Sequence, residues 1–269
     1  MASLGVVQSV DRALRIVGYL AESEGAELSV TEIGRRLGVH KTTASRLAAT
    51  LARHGFIQRG PATDHYQLGL GLVHLAASAV ADFGPVHVAR AALRDLAART
   101  EETITLGVLS GERVVYVDQI MGRRSIVSHS WLGNTTPTHC SASGKVLLAW
   151  LDERELKAIL PSRLERLTPE TIVSVPELRR HLDEIRARGY GTTIEELEEG
   201  LTAVAAPVRQ ATGRVVAALG LGAPSFRLRE EHIPRIARLV REAADTVSRE
   251  LGYSDRTGVR GSKSALKQR

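Results

Sequence analysis

Two stretches of this 269-residue chain carry side chains suited to binding chemistry. The first, residues 33–63, contains Arg, Lys and His but no Asp or Glu, so it avoids repelling a polyanion. Guanidinium, ammonium and hydroxyl groups reach phosphates and base edges, which indicates double-stranded DNA as a partner. A solvated basic face on a protein-interaction module is the alternative. The candidate DNA contacts are Arg35, Arg36, His40, Lys41, Thr42, Thr43, Ser45, Arg46 and Arg59.

The second stretch is residues 139–145, with the sequence HCSASGK, at the start of a helical pattern. Its small residues leave the first backbone N–H groups of that helix accessible, and such groups favour an anion. A carboxylate is a suitable guest, so we expect a small organic acid as ligand.

Several fragments could also indicate an enzyme or a metal protein. Residues 143–145 lack the earlier glycine of a phosphate loop and the Ser or Thr that should follow its lysine. Cys140 and His139 are adjacent, so their side chains point apart and do not form a catalytic dyad. His129 and His139 have no evident third zinc ligand, and the acidic run at residues 195–199 is typical of a solvated loop. We predict no catalytic residue, no metal and no cofactor.

The elements that position the basic stretch follow from apolar periodicity and caps. A capping-box pattern from Ser29 to Glu32 opens a helix that ends near Leu37, and Gly38 supplies a turn. A third helix follows over residues 40–54, and then a hairpin over residues 54–69. The tip of this hairpin would approach the DNA backbone or minor groove through Arg59 and His65. This order predicts a winged helix-turn-helix. The first helix, over residues 9–22, is predicted to bury Val10, Ala13, Leu14, Val17 and Leu20.

The remainder of the chain alternates helices with strands. The apolar helix over residues 70–83 needs a partner, and a second copy of the chain is the simplest one. We expect an α+β fold in which a six-stranded antiparallel sheet is flanked by helices. The predicted strands are residues 103–109, 113–120, 125–131, 191–194, 202–208 and 214–221. The predicted domains are a DNA-binding domain (1–69), a linker helix (70–84), an effector domain (85–252) and a basic, disordered tail (253–269).

Composition limits the remaining function classes. The net charge of +6 lies at the two ends of the chain, and the long middle is balanced. A single cysteine, Cys140, excludes an intramolecular disulfide and a cysteine-based metal site. No window is apolar enough for a membrane span, and the N-terminus does not have the form of a signal peptide. The sequence thus predicts a cytoplasmic protein without a membrane partner.

The order of motifs resembles the IclR family of bacterial transcription regulators from about residue 7 to residue 252. The resemblance implies a winged helix-turn-helix joined to a GAF-like effector domain. It also implies a homodimer or a dimer of dimers, the latter a homotetramer, on a palindromic operator. The matching segments are 8–14 (QSVDRAL), 32–43 (EIGRRLGVHKTT), 66–69 (YQLG), 114–118 (VVYVD), 139–145 (HCSASGK), 195–200 (EELEEG) and 205–208 (AAPV).

The resemblance also implies where an effector binds. Some family members have an acid at the position of Thr193, Cys at that of Ala203, and Ser at those of Gly220 and Gly222. Smaller side chains predict a larger cavity and a ligand bulkier than a short keto acid, with an aromatic acid favoured. Trp131 could stack on such a ligand or belong to the core. The expected effector-binding residues are Trp131, Ala142, Ser143, Thr193, Ala203, Gly220 and Gly222.

The sequence therefore predicts an effector-responsive regulator of a catabolic operon, acting as a repressor or an activator. The rival hypothesis is a ligand-binding or catalytic protein with an incidental helix-turn-helix.

Overall fold

The computed structural model describes residues 5–22, 27–60, 64–81, 83–123, 130–161 and 163–254. It divides into two compact units, Met1–Asp82 and Phe83–Arg269. Several predicted features lie outside the described residues: the helix end at 24–26, the wing tip at 61–63, His129, most of the strand predicted at 125–131, and the tail beyond residue 254.

The first unit has helices packed around a small apolar core, with a three-stranded antiparallel sheet of order β1-β3-β2. The capping box predicted at Ser29 forms, because its hydroxyl accepts from Glu32 N–H and Glu32 accepts from the Ser29 N–H. The elements are α1 (Gln8–Glu22), β1 (Leu28–Ser29), α2 (Val30–Leu37), α3 (Lys41–Arg53), β2 (Ile57–Arg59), β3 (His65–Leu68) and α4 (Gly71–Ala81).

The predicted buried face of α1 was partly wrong. Val10 and Leu14 are 55% and 62% exposed, whereas Ile16 and Leu20 are buried against α2 and α3. The sequence offers two apolar stripes at helical spacing, and the packing partners select the one that contains Ile16. On α4 the apolar side chains Val73 and Leu75 are exposed.

The second unit is built on a six-stranded antiparallel sheet of order β6-β5-β4-β9-β8-β7, as the sequence predicted for its class. At the centre of the sheet, β4, the first strand of the first half, pairs with β9, the last strand of the second half. The elements are α5 (Gly84–Thr100), β4 (Thr103–Ser110), β5 (Arg113–Ile120), β6 (Thr135–Pro137), α6 (Ala142–Ala149), α7 (Glu153–Ile159), α8 (Val175–Arg188), β7 (Gly191–Ile194), β8 (Leu201–Arg209), β9 (Val215–Pro224), a 3-10 turn (Glu230–His232) and α9 (Ile233–Glu250).

The third strand differs from its prediction. Trp131 is not part of a strand. On the side of β5 that faces away from β4, the paired strand is the short β6. The Gln119 side chain accepts hydrogen bonds from the backbone N–H groups of Trp131 and Leu132, at 2.6 and 3.0 Å. Side-chain bonding thus satisfies these amides in a loop, in place of a strand ladder.

Small residues allow α6 to lie close to the sheet. A Cβ atom at Gly107 would lie 3.4 Å from the Ser143 Cβ of α6, and one at Gly191 would lie 2.9 Å from Val146 of α6. The buried side chains of α6 and α8 complete this core. Among the described residues, no helix combines the length and the apolar character that a membrane crossing requires.

Candidate DNA-binding surface and ligand cavity

The start of α3 is shaped by the turn before it. Gly38 ends α2 with a φ of +66°, a backbone conformation that favours glycine. His40 then caps α3, and its Nδ1 accepts from the Thr42 N–H at 3.4 Å. This geometry leaves the side chains of Lys41, Thr42 and Thr43 exposed on the first turn of the helix.

The structure exposes eight of the nine predicted DNA contacts and half-buries Ser45. Two of the exposed arginines already have partners. The Arg36 guanidinium lies 5.8 Å from the centre of the Tyr19 ring. Arg59 forms an ion pair with Asp64 at 2.8 Å, with both side chains largely exposed, so the pair is weak and a phosphate can compete for the guanidinium. His65 is half-buried, so it fits the predicted role at the wing tip poorly.

A cavity of about 110 Å³ lies between the N-terminus of α6 and the sheet of the second unit. All seven residues predicted to bind an effector line it. The cavity wall also contains polar and aromatic residues that were not predicted from the sequence. These additional residues include Glu102, Thr103, Thr105, Tyr116, Ser141, Glu198, Glu199 and Arg227.

The floor of the cavity consists of two rows of residues that run across the strands. Thr105, Gly220 and Ala205 are neighbours in one row, of which Thr105 and Gly220 line the cavity. Successive rows on one face of a sheet lie two residues, or about 7 Å, apart along each strand. The next row therefore contains Thr103, Gly222, Ala203 and Thr193.

The two glycines of the floor have different surroundings. A Cβ at Gly220 would lie 2.9 Å from Ser143 Oγ and 3.1 Å from Thr105 Oγ1, so that space is already filled. The prediction that Gly220 enlarges the cavity was therefore wrong: Gly220 allows the hydroxyls to approach the strand. A Cβ at Gly222 would meet only Leu201, at 3.8 Å, so Gly222 does leave room.

The α6 end of the cavity presents hydrogen-bond donors. Ser141 caps α6 by accepting from the Gly144 N–H, and the earlier N–H groups of Ala142 and Ser143 belong to the turn that has no partner within a helix. Burial raises the pKa of Tyr116, so its phenol stays protonated at neutral pH. The Trp131 ring packs edge-on against Tyr116 at 5.6 Å and also lines the cavity, so it serves the core and the wall together.

The far end of the cavity is charged. Arg227 donates two hydrogen bonds to Glu102, at 2.7 and 2.9 Å, and the two side chains are only 18% and 12% exposed. Glu198 and Glu199 are exposed at the rim. The cation among the lining residues at this end, Arg227, is therefore already paired with a carboxylate.

The acidic run at residues 195–199 was predicted to be a solvated loop, and for Glu196 this was wrong. Glu196 is 7% exposed and its carboxylate contacts Lys145 Nζ at 2.5 and 2.6 Å. Lys145 lies on α6 and is fully buried. The pairing joins positions 51 apart in the chain, and no local pattern in the sequence signals it.

Cys140 is fully buried, and burial raises its pKa to about 12, so it is a neutral thiol at physiological pH. His139 Nε2 lies 2.8 Å from the carbonyl oxygen of Glu165, and burial lowers the pKa of this imidazole. Within the described part of the chain, no group of three or more His, Cys, Asp or Glu side chains is arranged to hold a metal ion.

Two family models match this chain. Residues 9–61 match the IclR helix-turn-helix domain, and residues 77–249 match the bacterial transcriptional regulator IclR C-terminal domain. The HTH-type transcriptional regulator XynR of Escherichia coli is 36% identical over 92% of this chain and 98% of its own. The E. coli HTH-type transcriptional repressor AllR is 31% identical over 91% and 90%.

Solved structures agree with this match. An IclR homolog from Microbacterium hydrocarbonoxydans, crystallised with 4-hydroxybenzoate, superposes with a TM-score of 0.79. It is 25% identical and the match covers 90% of this chain and 98% of that one.

Proposed function

Because this chain belongs to the IclR family of DNA-binding bacterial transcription regulators, which are not enzymes, we propose that its effector is a small organic acid. The favoured ligand is an aromatic monoacid. Its binding changes the affinity of α3 for the operator, which controls a catabolic operon. The AllR relative is named a repressor, and this supports repression as the mode of action.

The observation that carries the proposal is the asymmetric lining of the cavity. One end offers the amides of Ala142 and Ser143 at a helix start together with neutral hydroxyls, a combination that stabilises a carboxylate. The adjoining floor at Gly222 and Ala203 is small and apolar, and it leaves room for a ring. The neighbouring structure with bound 4-hydroxybenzoate supports the same class of ligand.

The proposed DNA contacts are the exposed residues of α2, α3 and the wing. Lys41, Thr42, Thr43, Ser45 and Arg46 read base edges, while Arg35, Arg36, His40 and Arg59 contact the backbone. The exposed apolar side chains of α4 support a dimer, because a second copy would cover them. The position and number of half-sites then follow from the symmetry of that dimer.

The experiment is a thermal-shift series with benzoate, 4-hydroxybenzoate, pyruvate and lactate. A ligand at about one hundred times its Kd adds roughly 2.7 kcal/mol to the free energy of unfolding. We expect the aromatic acids to raise the Tm by several degrees and the short acids to raise it less. Equal or absent shifts for all four acids would contradict the proposed ligand class.

Two matched threonines on β7 provide a control. Thr193 lines the cavity and is buried, whereas its neighbour Thr192 pairs with Arg188 outside it. We expect Thr193→Val to weaken the response to aromatic acids about tenfold, the value of one buried hydrogen bond. Thr192→Val should leave it unchanged.

DNA binding is tested on duplexes selected by the protein from a random pool. Specific binding that falls steeply as salt rises, and that changes when the acid is added, supports the regulator. Turnover of an acid that is lost in Cys140→Ala would support the rival enzyme.

A further inference from the structure

The buried pair Lys145–Glu196 has no part in the chemistry described so far. Lys145 lies one turn after Ala142 on α6, and its ammonium contacts both carboxylate oxygens of Glu196, at 2.5 and 2.6 Å. Two charges removed from water carry a large desolvation penalty, and apolar side chains of similar size are often no less stable in such places. Stability alone therefore explains this pair poorly.

Glu196 belongs to the β7–β8 loop, residues 195–200, which forms one rim of the cavity. Leu197, Glu198, Glu199 and Gly200 of this loop line the cavity. The loop starts at Glu195 with a φ of +57°, which is a costly conformation for a residue other than glycine. Such a backbone persists only where several contacts hold it.

Other contacts also hold the loop: the Glu196 carboxylate accepts a hydrogen bond from the backbone of Ile172, and further bonds act on the loop backbone. The Thr168 hydroxyl donates to the Glu195 carbonyl and the Thr171 hydroxyl donates to the Glu196 carbonyl, each at 2.7 Å. The Glu195 N–H donates to the Leu201 carbonyl at 2.8 Å. Of the contacts named here, the ion pair is the one that joins the loop to α6, the helix whose first turn faces the proposed carboxylate.

We propose that Lys145 and Glu196 are positioning residues for the effector: they fix the β7–β8 loop to α6, so that the rim and the anion-binding end of the cavity keep one spacing. The inference rests on the proposed function, since it assumes that the effector occupies this cavity. Neither side chain touches the ligand. We expect the pair to affect how long the ligand stays bound, because residues 197–200 of the loop form part of the cavity wall.

The experiment compares Lys145→Met, the double variant Lys145→Met with Glu196→Met, and wild type in the full chain. Lys145→Met leaves a buried carboxylate without its partner, and we expect a lower Tm. The double variant removes both charges, and we expect it to recover a Tm close to that of wild type. The matched control neutralises the exposed pair of Arg179 and Glu153, which are 2.6 Å apart, by changing both to Gln.

Two measurements separate positioning from stability. Hydrogen exchange at the Glu195 and Leu201 amides should be at least tenfold faster in the double variant, while amides of α9 keep their wild-type rates. The dissociation rate of 4-hydroxybenzoate, or of the acid with the largest thermal shift, should rise about tenfold with little change in the association rate. Operator affinity without the acid should stay at the wild-type value.

The outcomes distinguish the two proposals. Unchanged exchange and dissociation rates in a stably folded double variant would overturn the positioning role. Faster exchange with an unchanged dissociation rate would also overturn it, because the loop would then not govern the ligand. If no acid binds wild type, the proposed function fails, and the exchange data alone decide whether the pair holds the loop.

Discussion

The two units of this protein place their candidate functional residues in opposite ways. In the first unit the residues are long, exposed and close in sequence, running along α2 and α3. In the second unit the corresponding positions are mostly small, buried or half-buried, and scattered from Trp131 to Gly222. The DNA surface is thus defined by side chains that project, and the cavity by side chains that are short or absent.

This difference determines what each unit tolerates. Removing an exposed side chain from a helix costs little stability and mainly affects the partner. Adding atoms to a tightly packed sheet and helix changes the fold itself. Substitutions at the two kinds of site should therefore separate into effects on binding alone and effects on binding together with folding.

The largest effect is expected from Gly220→Leu. Its first added carbon would lie 2.9 Å from Ser143 Oγ and 3.1 Å from Thr105 Oγ1, so both hydroxyls must move and the rest of the leucine side chain must find space between the strand and α6. We expect the free energy of unfolding to fall by about 3 kcal/mol and the response to every acid to be lost. Denaturant titration and the thermal-shift series measure both.

Gly222→Val is the matched change, because its Cβ has space near Leu201. This variant should retain a Tm close to that of wild type. It should lose the thermal shift with aromatic acids and keep the shift with short acids. Equal destabilisation by the two variants would break the distinction between a filled and an open floor.

On the first unit, Arg46→Ala should weaken operator binding about 10- to 100-fold with little change in Tm, because the side chain is exposed and is proposed to read base edges. Arg53→Ala removes the same charge from the last turn of α3 and should cost less than threefold. Binding curves at several salt concentrations test this prediction. A larger loss for Arg53→Ala would mean that α3 meets DNA through its other end.

Ser29→Ala tests whether local capping supports the DNA surface. Loss of this cap should lower the free energy of unfolding of the first unit by about 1 kcal/mol. Hydrogen bonds from Ser29 also lower the pKa of Glu32 below its usual 4.5. The contribution of the Glu32 carboxylate to the stability of the cap is therefore complete above pH 4.5, and it is lost as the pH falls through the lower pKa of the folded state. The difference between variant and wild type should shrink at acid pH, with Thr31→Ala as the control.

The smallest effect is expected at the cavity rim. Glu199→Gln removes an exposed negative charge near the mouth, so the affinity for an acid should rise about twofold at low salt. The gain should disappear at high salt because exposed charges are screened. A gain that persists in salt would place Glu199 closer to the ligand than its exposure suggests.

The comparison also explains which features could be read from the sequence. The capping box at Ser29 and the glycine turn at Gly38 act over a few residues, so the positions of α2 and α3 were predicted closely. The resemblance supplied seven cavity residues that geometry does bring together. The sequence did not reveal that Glu196 pairs with Lys145 or that hydroxyls fill the space at Gly220. Both features depend on how closely α6 packs against the sheet. No local pattern encodes that distance.

The pairing of β4 with β9 has a consequence for the order in which the protein becomes competent. Thr103 faces Gly222 across that pair, so one row of the cavity joins parts of the chain synthesised far apart in time. Contacts of high sequence separation form late, whereas the local contacts of the first unit form early. During synthesis the helix-turn-helix can fold while the cavity does not yet exist. We therefore expect a newly made chain to pass through a stage in which its helix-turn-helix is folded and its effector cavity has not yet formed.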